Sequence, residues 1–230
     1  MLCLGLVLVS CDAQSKKNSN HNSEELTYSK VVELGDVRVN FPFLDGYKEC
    51  SEDSVVAEWI SGFPGADHQI DIIAFYLDNE TYNSKDLLGT IHIENYFQIW
   101  RANSPRETKT TLNQYQQLAK SLDQLQLSKI DFNAISKKYI NNEILSHIQF
   151  GEPNFIEIYE SNNVKSAVAF VKMNHFGHEK LMIMINNVIW FKDRLLMSAY
   201  YLEFEGSKSI DEAKRNNKNF INSLLVTNNI

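Results

Sequence analysis

The 230-residue sequence predicts an α+β domain, with a mainly antiparallel sheet of about six to eight strands flanked by helices and a C-terminal helix packed on the sheet. Three observations carry this. Helical and strand spacings are interleaved through the first half of the domain. From Phe155 to Phe204, strand then follows strand, with turn residues between. An amphipathic helix closes the chain.

In chain order, residues 12–28 are polar, rich in Ser and Asn and poor in aliphatics, a composition that cannot offset the entropy of ordering. They read as a tether, and structure is expected from near Val31. Val37, Val39 and Phe41 alternate with Arg38 and Asn40 as in a strand that Pro42 ends, and Leu44-Asp45-Gly46-Tyr47 turns the chain. Ser51-Glu52-Asp53 opens a helix carrying Val55, Val56, Trp59 and Ile60, stopped by Gly62 and Pro64. The nearly continuous apolar run Ile70 to Leu77 predicts a strand buried on both faces, and Tyr96 to Trp100 predicts another.

Ser104-Pro105-Arg106-Glu107 has the spelling of a capping box with Pro at the first helical position, and Thr108 is the alternative cap. Leu112, Tyr115, Leu118, Ala119, Leu122 and Leu125 then recur at helical spacing. A further helix is expected from Lys129, capped by Ser128, with Phe132, Ile135 and Tyr139 on one face and Asn141-Asn142 at its end. The strands from Phe155 to Phe204 form a meander with turns at Asn162-Asn163, near Gly177 and at Lys192-Asp193. Ser209 and Glu212 spell a capping box for the last helix, whose apolar face holds Ala213, Phe220, Ile221, Leu224 and Leu225. This element order resembles the PsbP-like fold, an antiparallel sheet sandwiched by helices. The stretch Tyr200-Tyr201-Leu202-Glu203-Phe204 with the helix after it is similar to the ends of uncharacterised bacterial proteins of that type, and the resemblance carries no functional residue across.

The N-terminus speaks about location. An apolar run, Met1 to Val9, ends in Leu8-Val9-Ser10-Cys11 and gives way to Asp12-Ala13-Gln14-Ser15-Lys16-Lys17. This resembles the bacterial lipoprotein box, in which the cysteine is acylated and becomes the new N-terminus. The resemblance implies removal of residues 1–10, a lipid on Cys11, a tether over 11–28 and a single domain over 29–230. It also implies a cell-envelope protein held to the inner or outer membrane, and Asp12 resembles the signal that retains enteric lipoproteins in the inner membrane. No Lys or Arg precedes the apolar run, so a start upstream of Met1 and a short leader both stay open. The alternative is an N-terminal strand over 2–9. The run is too short to span a bilayer, which takes about 20 apolar residues.

Composition narrows the function classes. A net charge of -7 gives no strong attraction to nucleic acid. Of three cysteines, Cys3 leaves with the leader and Cys11 is acylated, so Cys50 stands alone without a disulfide partner. It sits among Glu49, Glu52 and Asp53, a setting that disfavours a reactive thiolate. Nine glycines are few for phosphate-cradling loops, and no P-loop, nucleophile elbow or CxxC pair occurs.

His175 and His178, with Glu179, are the strongest metal-ligand candidates, needing a third ligand from elsewhere; a polar hairpin connection with two solvated imidazoles explains them as well. His68, His92 and His147 are scattered singly. Glu157, Glu160, Glu203 and Glu205 lie on or near strands, where a glycosidase pair or a solvated sheet face would both place them. Tyr96, Phe97, Trp100, Trp190, Phe191, Tyr200, Tyr201 and Phe204 are expected to fill the core. No metal, cofactor or catalytic set is therefore expected. The function expected is a lipid-anchored, non-catalytic binding or assembly module with an envelope protein partner, against the alternatives of an envelope hydrolase and a small-molecule carrier with an apolar pocket.

Overall fold

Among the described residues of the computed structural model, which are 28–61, 70–87, 93–128, 151–161, 163–175 and 178–230, nine strands form two sheets. The smaller is a hairpin of β1 (Tyr28–Leu34) and β2 (Val37–Pro42), in which Val32, Leu34, Val39 and Phe41 are buried. Its turn needs Gly35, because φ is +65° there and an added Cβ would lie 2.7 Å from the Glu107 Cα. Strand structure thus begins at Tyr28, slightly earlier than composition suggested.

The larger sheet contains β3 (Tyr47–Glu49), β4 (Ile70–Asp78), β5 (Asn95–Ala102), β6 (Asn154–Ser161), β7 (Val164–His175), β8 (His178–Phe191) and β9 (Arg194–Glu203). Their order is β3-β4-β5-β9-β8-β7-β6, and every neighbouring pair is antiparallel. The expected meander is β6 to β9. Lys192 and Asp193 both have positive φ, as the tightest hairpin turn requires. Four helices accompany the sheets among the described residues: α1 (Ser54–Ser61), α2 (Asn79–Asn83), α3 (Leu112–Leu122) and α4 (Ser207–Thr227). The fold is α+β, as predicted.

Both faces of the sheet are buried, which explains why its central strands read as continuous apolar runs. On one face, Tyr76, Phe97, Ile183, Ile185 and Tyr200 pack with Phe220, Ile221 and Leu224 of α4 and with the β1–β2 hairpin. The Phe97 ring stacks on Tyr200 at 4.2 Å and meets Phe220 at 5.0 Å. On the other face, Phe75, Leu77 and Tyr96 pack under Val56 and Ile60 of α1, and Val188 packs under Tyr115 and Ala119 of α3. The aromatics expected in the core are there, although Trp100, Trp190 and Tyr201 are only half-buried.

Three local expectations are corrected. Residues 104–107 do not start a helix; they wrap the buried Arg101, whose Nη2 donates to the carbonyls of Ser104 (2.9 Å) and Pro105 (2.8 Å). The helix begins at Leu112, with Thr111 and Gln114 forming the capping box, and it stops at Leu122, before Leu125. The Ser104 Oγ accepts from Arg101 Nη2 (3.0 Å) instead of capping, and Thr110 ties the segment before the helix to the end of β8, its N–H donating to Asp193 O (2.9 Å) and its carbonyl accepting from Trp190 Nε1 (3.1 Å). The last helix starts at Ser207, and Ser209 lies inside its first turn, where its Oγ accepts from the Glu205 N–H (3.0 Å) and does not cap. Two elements gave no sequence signal that was used: β3, and α2, which Asp78 caps by accepting from the Thr81 N–H at 2.9 Å. The helix expected from Lys129, the Gly62 stop and most of the tether lie outside the described residues.

Helix α4 is keyed to the sheet by a buried amide pair. Asn187 of β8 and Asn217 of α4 are each 1 % exposed, and they exchange hydrogen bonds of 2.8 and 3.0 Å. Asn187 also accepts from Ser166 Oγ (2.7 Å) and donates to Ser198 Oγ (2.9 Å), which uses all four of its valences. Asn217→Leu should cost about 1–3 kcal/mol in urea denaturation, because Asn187 is left with unmet polar atoms. The double variant Asn187→Leu/Asn217→Leu should cost less than the two single changes added together, and strictly additive losses would show that the pair is uncoupled. Gly35→Ala should lower stability by more than about 1 kcal/mol, since alanine pays for the positive φ and also meets Glu107; a smaller loss would mean that the 105–110 segment yields.

Candidate functional site

The predicted site residues are scattered. Cys11, His68, His92 and His147 lie outside the described residues. His175 and His178 are register partners at the end of β7 and the start of β8, and only their backbone is described; the turn expected near Gly177 lies outside the described residues. Glu179 is one register step away and is paired with Lys172 at 2.8 Å. Among the described residues, no group of three His, Cys, Asp or Glu side chains is arranged to hold a metal ion.

Of the four glutamates noted on or near strands, Glu203 and Glu205 line one recess, and three are held in ion pairs. Glu157 binds Lys214, Glu160 binds Lys165 and Glu203 binds Lys180. Cys50 is 4 % exposed, with its Sγ 3.4 Å from the Phe75 carbonyl under α1. Burial, aided by Glu49 and Asp53, pushes its thiol up to about 12.

Among the described residues, side chains from several elements converge on three recesses, two of them larger than the third. The first, of about 550 Å³, lies at the end of the sheet beside the start of α4. Six carboxylates line it: Asp78, Glu80, Glu94, Glu203, Glu205 and Glu212. Lys180 reaches across from β8 and bridges Glu94 (2.8 Å) and Glu203. Burial alone would lower the Lys180 pKa, but its hydrogen bonds to Glu203 and Glu94 more than reverse this and raise it. The two carboxylates therefore share one cation, an ion-paired arrangement unlike the free acid and base that hydrolysis by a carboxyl pair uses.

The second recess is a groove of about 480 Å³ between the edge strand β6 and α4. Its sheet side is Glu157, Tyr159, Ser161, Val164 and Ser166; its helix side is Lys214, Arg215, Asn217, Lys218, Ile221 and Asn222. Alternation along β6 and β7 points Tyr159 and Ser166, which are register partners, to the same face. Asn217 Nδ2 donates to the Tyr159 hydroxyl at 3.2 Å, and Lys214 Nζ takes both Glu157 oxygens at 2.7 and 2.9 Å. A smaller recess of about 360 Å³ on the other flank of α4 includes the exposed Phe43.

The groove is the residue set that reading the sequence missed. Two signals were available. Asn217 interrupts the apolar stripe of the last helix between Ala213 and Phe220, and Lys214-Arg215 with Lys218 concentrates positive charge in an acidic chain. In comparisons with known proteins, the chain matches no family model and no curated protein by sequence.

Because the folded Cys50 pKa lies above its ordinary value of 9.0, the stability linked to the neutral thiol is whole below about pH 9 and is lost as pH rises toward 12. Burial raises Tyr47, Tyr76, Tyr96, Tyr200 and Tyr201 in the same direction. The urea midpoint should therefore fall steeply above pH 9, and Cys50→Val should remove the earliest part of that fall. Peptide mapping after iodoacetamide treatment at pH 8 should find Cys50 unmodified in native protein and modified in urea. Native labelling at pH 8 would contradict the buried, neutral thiol.

Proposed function

We propose that the protein is a lipid-anchored binding module of the bacterial cell envelope, tethered through Cys11 and binding through the groove between β6 and α4. The anchoring rests on the apolar run that meets L-V-S-C and then a polar stretch. Sixteen residues lie between Cys11 and Tyr28, so the chain from one to the other reaches at most about 60 Å. No helix among the described residues is long and apolar enough to cross a membrane. Two or three acyl chains on Cys11 would suffice for stable attachment.

The observation that carries the binding reading is the groove itself. Its volume of about 480 Å³ falls in the range of small-molecule sites, and three elements bring side chains to it around a floor whose polar groups are already hydrogen-bonded. The larger acidic recess is what a hydrolase reading would use, and the Lys180 bridge disfavours it.

Cells fed a fatty-acid analogue should label the protein and retain it in the membrane fraction, and Cys11→Ser should abolish both. Unlabelled wild-type protein in the cytoplasm would end the anchoring reading. Turnover of an envelope polymer that is lost in Glu203→Gln would replace the binding reading with an enzymatic one.

A further inference from the structure

We infer that the β6–α4 groove takes a small anionic amphiphile: an acid headgroup, carboxylate or phosphate, on an aliphatic or aromatic body. The inference rests on the binding reading above and names its ligand class.

The body follows from the walls. The half-buried Tyr159 ring offers apolar surface from β6, continued by the edges of the buried Val164 and Ile221 of β7 and α4. The polar floor asks little of a ligand, because Asn217, Asn187 and Ser166 bond one another and the Tyr159 hydroxyl accepts from Asn217. A ligand with many buried polar atoms would leave them unpaired, whereas an apolar body loses nothing there.

The headgroup follows from the charges. Three cations line the groove against one carboxylate, so the lining carries 3 − 1 = +2 in a chain of net charge -7. The one carboxylate, Glu157, is already bound bidentately by Lys214. Arg215 and Lys218 form no ion pair among the described residues, and both are exposed. They stand three residues apart on α4 and so share one side of the helix. An acid head held there stays at the hydrated mouth while its body enters the groove, which avoids burying a charge. The acidic recess at the start of α4 repels the same ligand, so the two recesses have opposite preferences.

The test uses the full chain with Cys11→Ser, which has no acyl group of its own, so the result is independent of whether Cys11 is lipidated in cells. Decanoate below its micellar concentration, decanol and inorganic phosphate are titrated separately by calorimetry. Decanoate should bind saturably at one site and at least about tenfold tighter than decanol or phosphate. Arg215→Gln/Lys218→Gln, changes at exposed positions that should leave the thermal midpoint in place, should weaken decanoate about tenfold and leave decanol unchanged. Asn222→Trp, which places a ring at the groove wall, should weaken both. The inference is overturned if decanoate does not saturate, or binds no better than decanol. It is overturned equally if phosphate binds as tightly, which would mark a simple anion site, or if the double variant binds decanoate normally. Binding to phosphatidylglycerol vesicles without binding to free decanoate would also overturn it and assign the cations to a membrane surface.

Discussion

The amide pair of Asn187 and Asn217 constrains the rest of the molecule. It lies, with Ser166 and Ser198, inside a mainly apolar layer, where an unpaired amide is costly, so α4 can sit on the sheet only at the rotation and height that closes both hydrogen bonds. Apolar packing alone would tolerate small slides of a helix over a sheet, because hydrophobic contact is not directional. The polar pair removes that freedom. Once it is closed, Lys214, Arg215 and Lys218 are held over β6, and Asn216 reaches the Tyr200 hydroxyl at 3.0 Å. The shape and charge of the groove are consequences of that single registration.

A second buried polar residue does the same for the hairpin. Arg194, 2 % exposed, donates from Nε to the Leu34 carbonyl (3.1 Å) and from Nη2 to Asp36 (2.6 Å), joining the β1–β2 turn to the β8–β9 turn. The 105–110 segment closes over the same point through Thr110 and the close approach of Glu107 to Gly35. At the far end of α4, Asn228 donates to the Asn40 carbonyl (2.7 Å) and accepts from the Asn40 N–H (2.8 Å). The hairpin is thereby fixed at both ends, and the core beneath it is closed to water.

Charge is segregated along α4. Carboxylates gather beside its N-terminal end, with Glu205 just ahead of Ser207, where the helix dipole tolerates negative charge. Positive charge is concentrated in its middle, on the side facing β6. The net charge of the chain conceals this division, because the two regions partly cancel and the acidic one is larger. A global figure gave no reason to expect strong nucleic-acid attraction, and it could not reveal a locally cationic groove.

The sequence by itself determined what depends on short-range physics. Alternation placed β2, apolar and aromatic runs placed β4 and β5, Lys192-Asp193 placed a turn, the 3.6-residue spacing placed α3 and α4, and the acidic neighbours of Cys50 marked an unreactive thiol. It misplaced a helix start where a buried side chain took the capping group, as with the Ser104 hydroxyl bound to Arg101. The strand order, which sets β9 between β5 and β8, came only with the tertiary structure. So did the groove, whose two walls meet through contacts 57 and 58 residues apart in the chain, Lys214 with Glu157 and Asn217 with Tyr159. Periodicity records which residues prefer to be buried. Which buried surfaces face each other is decided by long-range pairing, and here a pair of buried amides made that decision.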